Sequence, residues 1–231
     1  RSLEAEPNHA DAHGVLADVL TAEGKLEEAK EHYEAALRLH NGNARFHEGL
    51  AFLLAKQKDY SGAIEAFRAA MALDAGDAEM CCGLADALAV ENRLDEAKTY
   101  YEQALALRPD FVLAHNNYAT LLVRMGMTKD AIVQYEAALA LDAEDATRHA
   151  DLGMAYAKEG DLDKAIVHFR EAVRLDPGHV SAHFALGKAL LDTGEAEAAI
   201  PHFQKVLMER PDWRDARQFL DDARAKAGEQ R

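Results

Sequence analysis

Apolar positions return along this chain as two short helical stripes in every 34 residues, with a turn between them. Alanine marks the register: Ala29, Ala63, Ala97, Ala131, Ala165 and Ala199 recur every 34 residues without a gap. Four residues after each comes an aromatic, in turn Tyr33, Phe67, Tyr101, Tyr135, Phe169 and Phe203. Upstream in each unit a large residue precedes a small one, from Leu16-Ala17 through Tyr118-Ala119 to Leu186-Gly187. Three residues beyond the small one stands Leu20, Leu54, Leu88, Leu122, Tyr156 or Leu190. Spacings of three and four place these residues on one face of a helix, so each unit predicts two helices. A fixed period of this length is the mark of a repeat architecture, in which each unit buries its apolar face against the next.

The turn inside each unit falls at Gly24, Asn92, Gly126, Gly160 and Gly194, with Lys58 the exception in the second unit. Gly or Asn there can take the left-handed conformation that ends a helix. Pro109, Pro177 and Pro211 mark unit boundaries, where a helix must stop. Small residues allow two helices to approach closely, and the aromatics and leucines fill the space between them.

Period, residue types and offsets together resemble the tetratricopeptide repeat family. Segments such as LEEAKEHYEAALRL and LDKAIVHFREAVRLDP are similar to its second-helix pattern. The resemblance implies an all-α fold: a right-handed superhelical solenoid of antiparallel helix pairs, the first helix of each pair lining a concave groove. Six units are expected, at 10–43, 44–77, 78–111, 112–145, 146–179 and 180–213. Residues 1–9 read as the tail of a preceding repeat, so a further unit is expected upstream. Residues 214–231 carry Ala216, Leu220, Ala223 and Ala227 on one face with charges between, which predicts the polar-backed capping helix of a solenoid.

Composition narrows the partners. The formal charge is −15, with an isoelectric point near 5.1. Such a surface repels phosphate backbones and anionic membrane surfaces, so neither nucleic acid nor membrane insertion is expected. No apolar run approaches the length of about 18 residues that a membrane span requires. The two cysteines are the neighbours Cys81 and Cys82, which predict no disulfide framework and favour a reducing compartment such as the cytoplasm.

Catalytic chemistry is hard to find. There is no glycine-rich phosphate loop, no G-x-S-x-G and no H-E-x-x-H, so neither enzyme activity nor a cofactor is expected. His13, His47, His115, His149 and His183 share one repeat position, which Cys81 takes in the third unit. Equivalent atoms in successive units should lie about 10 Å apart, whereas a zinc ligand sits about 2 Å from the ion. One metal therefore cannot bridge the ladder, and partly buried packing with a polar edge is the expectation. His9/His13 and His179/His183 have the spacing of a helical metal pair, but the first of each precedes its helix and no third ligand is evident.

Binding in the groove remains. Relatives that clamp a chaperone's C-terminal carboxylate use Lys, Asn and Arg where this chain has Gly14, Asp18, Gly49, Glu79 and Gly83. The asparagine ladder of the related protein O-glycosyltransferases is matched by Asn117 alone. Neither scheme applies. The groove charges are nevertheless uneven: Glu48, Glu79 and Asp86 lie in the first three units, and Arg124, Lys158 and Lys188 in the last three. Between them stand Asn116, Asn117 and Thr120, with Phe184 offering an apolar contact. The expected function is a protein-interaction scaffold that binds an extended peptide or partner protein, basic residues of the ligand lying toward the acidic half. The alternative is a substrate-recruiting arm of a glycosyl- or methyltransferase whose catalytic domain lies outside this chain. Self-association through the truncated N-terminal end is a third expectation.

Overall fold

The computed structural model describes residues 9–74 and 76–229. The tail at residues 1–9 lies outside the described residues except for His9. Among the described residues there are thirteen helices and no strand. In chain order they are α1 (Ala10–Ala22), α2 (Leu26–Leu39), α3 (Ala44–Lys56), α4 (Tyr60–Leu73), α5 (Ala78–Val90) and α6 (Leu94–Leu107). There follow α7 (Val112–Arg124), α8 (Thr128–Leu141), α9 (Ala146–Lys158), α10 (Leu162–Leu175), α11 (Val180–Asp192), α12 (Ala196–Glu209) and α13 (Arg214–Glu229). The contacts divide the chain into two compact units, one ending at Ala114 and the other beginning at His115.

In the first unit α1 packs on α2, α3 on α4 and α5 on α6, and each pair packs on the next. In the second, α9 pairs with α10 and α11 with α12, and α13 closes against α12 and α11. The alanines every 34 residues let the helices approach: all six are fully buried, and the aromatic four residues later is at most 3% exposed in every repeat. Gly153 and Gly187 extend the logic. A Cβ at Gly153 would stand 2.6 Å from the Phe169 ring, and one at Gly187 would stand 2.9 Å from Phe203. Those rings lie where only a hydrogen fits.

One turn links the two helices in all six repeats. Gly24, Gly126, Gly160 and Gly194 have φ between 79° and 87°. Lys58 and Asn92 take the same left-handed conformation, at φ 66° and 60°. Each turn closes with a backbone N–H donating to the carbonyl five residues earlier, from Lys25 to Leu20 (2.9 Å) through to Glu195 to Leu190 (2.7 Å). This is the Schellman closure, which satisfies carbonyls that the helix end leaves open. Lys58 carries the turn although its side chain disfavours it. The repeat imposes the geometry there against local preference.

Candidate functional site

The first helices of the repeats carry the candidate residues, and the second unit gathers most of them. Thr120, Val123 and Arg124 on α7, Asp151, Met154 and Lys158 on α9, and Phe184, Lys188 and Asp192 on α11 line one open cavity of about 680 Å³. Tyr135, Leu162 and Phe169 also line it, from the second helices. Arg124 and Lys158 occupy equivalent positions in successive repeats, which is why they reach the same space. Of the residues expected from sequence, Thr120, Arg124, Lys158, Phe184 and Lys188 come together here. Val123 and Leu162 also line the cavity, and nothing in their residue type separates a cavity wall from core.

The lining is chemically mixed. Among the described residues Arg124, Lys158 and Lys188 form no ion pair, although Lys188 lies 5.4 Å from the centre of the Phe219 ring. Burial pushes the Asp151 carboxyl above its ordinary range, with Asp145 reinforcing the shift and His179 opposing it. Thr120 sits 3.1 Å from the Tyr135 hydroxyl. Phe184 stacks on Trp213 at 4.6 Å and meets Phe219 edge-on, so it anchors α13 as well as facing the cavity. Met154 presents 57% of its surface to solvent. Asn116 and Asn117 lie on α7 about two turns before Arg124 and do not line the cavity.

Glu48, Glu79 and Asp86 belong to the first unit, and their surroundings differ. The Arg108 guanidinium donates to Glu79 at 3.1 Å. The Tyr101 hydroxyl donates to Asp86. Glu48 is held above its ordinary range, first by burial and then by Asp77 and Glu79, with Arg45 opposing. Arg45 itself donates to Asp18 at 2.7 Å, and the Tyr33 hydroxyl donates to the same carboxylate at 2.6 Å. The Lys56 ammonium rests on the Thr21 carbonyl at 3.2 Å. Asp18, Glu79 and Asp86 are thus engaged carboxylates.

Cys81 and Cys82 are buried and unbridged. Burial raises both thiols, Cys82 to about 12, so neither is thiolate near neutral pH. Among the described residues no group of three or more His, Cys, Asp or Glu side chains is placed to hold a metal ion. Among them, too, no helix is long and apolar enough to cross a membrane.

Comparison with known proteins fits the helix pairing. Tetratricopeptide repeat profiles match residues 20–79, 54–100 and 156–222, with related profiles at 119–179 and 100–133. A search of curated proteins finds no match. Among solved structures, YrrB, described as a TPR protein with an unusual peptide-binding site, is 23% identical with a TM-score of 0.70, over 78% of this chain and 93% of that one. PilF of Pseudomonas aeruginosa is 18% identical with a TM-score of 0.77, over 92% and 97%. MamA of Desulfovibrio magneticus is 26% identical with a TM-score of 0.69, over 74% and 97%. With its 34-residue period, its buried alanine and aromatic ladder and these profiles along most of its length, the chain belongs to the tetratricopeptide repeat family.

Proposed function

We propose that the chain is a protein-interaction scaffold and that its second unit receives an extended segment bearing carboxylate and apolar side chains. The observation that carries this reading is the cavity in which Arg124, Lys158 and Lys188, without ion-pair partners among the described residues, stand around Met154 and Phe184. A carboxylate placed there gains charge-assisted hydrogen bonds that no internal partner already supplies. An apolar side chain beside it covers exposed Met154, at about 25 cal/mol per Å² removed from water. Asn116 and Asn117 extend the contact by offering donors and acceptors to the segment's backbone amides. A basic stretch of the same ligand against Glu48, Glu79 and Asp86 is the lesser contact, because Glu79 and Asp86 already have partners.

The test is fluorescence anisotropy with labelled peptides in which Asp or Lys alternates with Leu. The Asp-Leu peptide should bind in preference and weaken with added salt, as exposed charge pairs do. Arg124→Gln with Lys158→Gln should weaken it at least tenfold, and Asn117→Ala with Arg124→Gln by a comparable factor. Preference for the Lys-Leu peptide, or affinity indifferent to both double substitutions, overturns the reading.

A further inference from the structure

The second unit contains two histidine pairs that the proposed binding site does not use. His149 on α9 faces His168 on α10 with their Nδ1 atoms 3.1 Å apart. One repeat later His183 on α11 faces His202 on α12 at 3.0 Å. The offset of 19 residues is the same, and the first unit repeats it once, with His13 and His32 at 2.8 Å. The ring centroids are 5.4 and 5.2 Å apart in the second unit. Those separations exceed the nitrogen separations by about two ring radii, so the nitrogens meet head-on, as in a hydrogen bond.

The position of the proton follows from the next contact. His149 Nε2 lies 3.1 Å from the Ala143 carbonyl, and His183 Nε2 lies 3.2 Å from the Pro177 carbonyl. A carbonyl only accepts, so both Nε2 atoms carry hydrogen and both Nδ1 atoms offer a lone pair when neutral. His168 and His202 must therefore donate Nδ1–H. Each pair holds one shared proton between the two helices of a repeat.

We propose that these two pairs are single-proton clasps that open on acidification and loosen the second unit. One added proton can go to Nε2 of His168 or His202 and leaves the Nδ1–H···Nδ1 bond in place; the next would put hydrogen on both Nδ1 atoms and set two cations about 3 Å apart. The surroundings act in the same direction. Burial lowers His168, and His149 and Lys164 add to it, against Glu136 on α8 and Glu171 on its own helix. The His168 ring also stacks on Tyr156, whose hydroxyl donates to Glu136. Burial lowers His202 to about 4, helped by His183 and by Arg170 on α10. Burial lowers His183 as well, with Lys205 and His179 adding, against the Pro177 carbonyl and Asp176. In the unfolded chain these rings titrate near 6.5. From about pH 6.5 down toward 4 the unfolded state thus takes up more protons than the folded one, and stability falls with pH.

The fourth repeat supplies a control. There His115 Nδ1 lies 2.7 Å from Gln134 Oε1, an oxygen that only accepts, so the ring donates across the same 19-residue offset to a group that does not titrate. The inference is independent of the peptide site, and its test needs no ligand. Urea unfolding of the full chain would be followed at pH 7 and pH 5, beside the variant carrying His168→Gln and His202→Gln. The wild-type unfolding constant should rise by roughly tenfold per pair over that interval, solvent screening of half-buried rings being allowed for. The variant should lose most of that rise, while contributions from carboxylates cancel between the two proteins. An equal rise in both overturns the proposal. Nitrogen-15 NMR of the wild-type side chains is the second reading: Nε2–H on His149 and His183 with Nδ1–H on His168 and His202 supports the clasp, and any other tautomer set at neutral pH overturns it.

Discussion

The two units repeat one architecture and treat several of their first-helix charges differently. In the first, carboxylates on the first helices are held by neighbours: Arg45 and Tyr33 hold Asp18, Arg108 holds Glu79, and Tyr101 holds Asp86. In the second, Arg124, Lys158 and Lys188 line a cavity with no ion-pair partner among the described residues. Equivalent positions of one repeat can therefore be used internally or left available. A cation already placed beside a carboxylate has little left to offer a ligand, because a new bond must replace an old one.

Substitutions can break this comparison at several levels. The largest effect should come from the shared core. Phe67→Ala in the first unit and Phe169→Ala in the second should each cost about 3–5 kcal/mol, read as lost hydrogen-exchange protection. The two costs should agree; a gap of several kcal/mol would mean that the units differ in packing as well as in charge. On peptide binding, Arg45→Gln should change affinity less than twofold, against at least tenfold for the Arg124 and Lys158 pair in the same anisotropy assay. Equal losses would erase the distinction. Tyr33→Phe removes a bond to a partly exposed carboxylate and should cost about 1 kcal/mol in urea unfolding, more than Tyr135→Phe, whose partner is the neutral Thr120. The smallest change concerns the turns. Lys58→Gly should stabilise the chain by up to about 1 kcal/mol, since it relieves a left-handed lysine, and Gly126→Ala should destabilise it by a similar amount. Thermal melting reads both.

Much of this was legible in the sequence, because a 34-residue period leaves little freedom. Alanine at Ala29 and its equivalents, followed four residues later by an aromatic, defines which faces are buried. Four turn glycines and Asn92 mark where first helices end, and at Lys58 the period alone locates the turn, because neighbouring packing, and not its own preference, sets φ there. The cation cluster was legible in part: Arg124 and Lys158 share a register, so one period brings them together. The engaged state of Asp18, Glu79 and Asp86 was not legible, since their partners stand 15 to 29 residues away in the chain. The histidine pairs did leave a signal, an offset of 19 recurring three times. The offset alone is a weak signal, because it brings two rings together only once the second helix of a repeat folds back on the first.

The repeated histidine position also sets how firmly the junctions between repeats are held. His47, His149 and His183 each bond the carbonyl six residues before them, and Arg217 does the same to Pro211. A side chain thereby fastens each of those junctions to the helix that follows. At the junction ahead of α5 that place is taken by Cys81, a weak donor. A break at one of the fastened joints loses that bond as well as the chain, so new termini from circular permutation, or an inserted domain, should cost most ahead of α3, α9, α11 and α13.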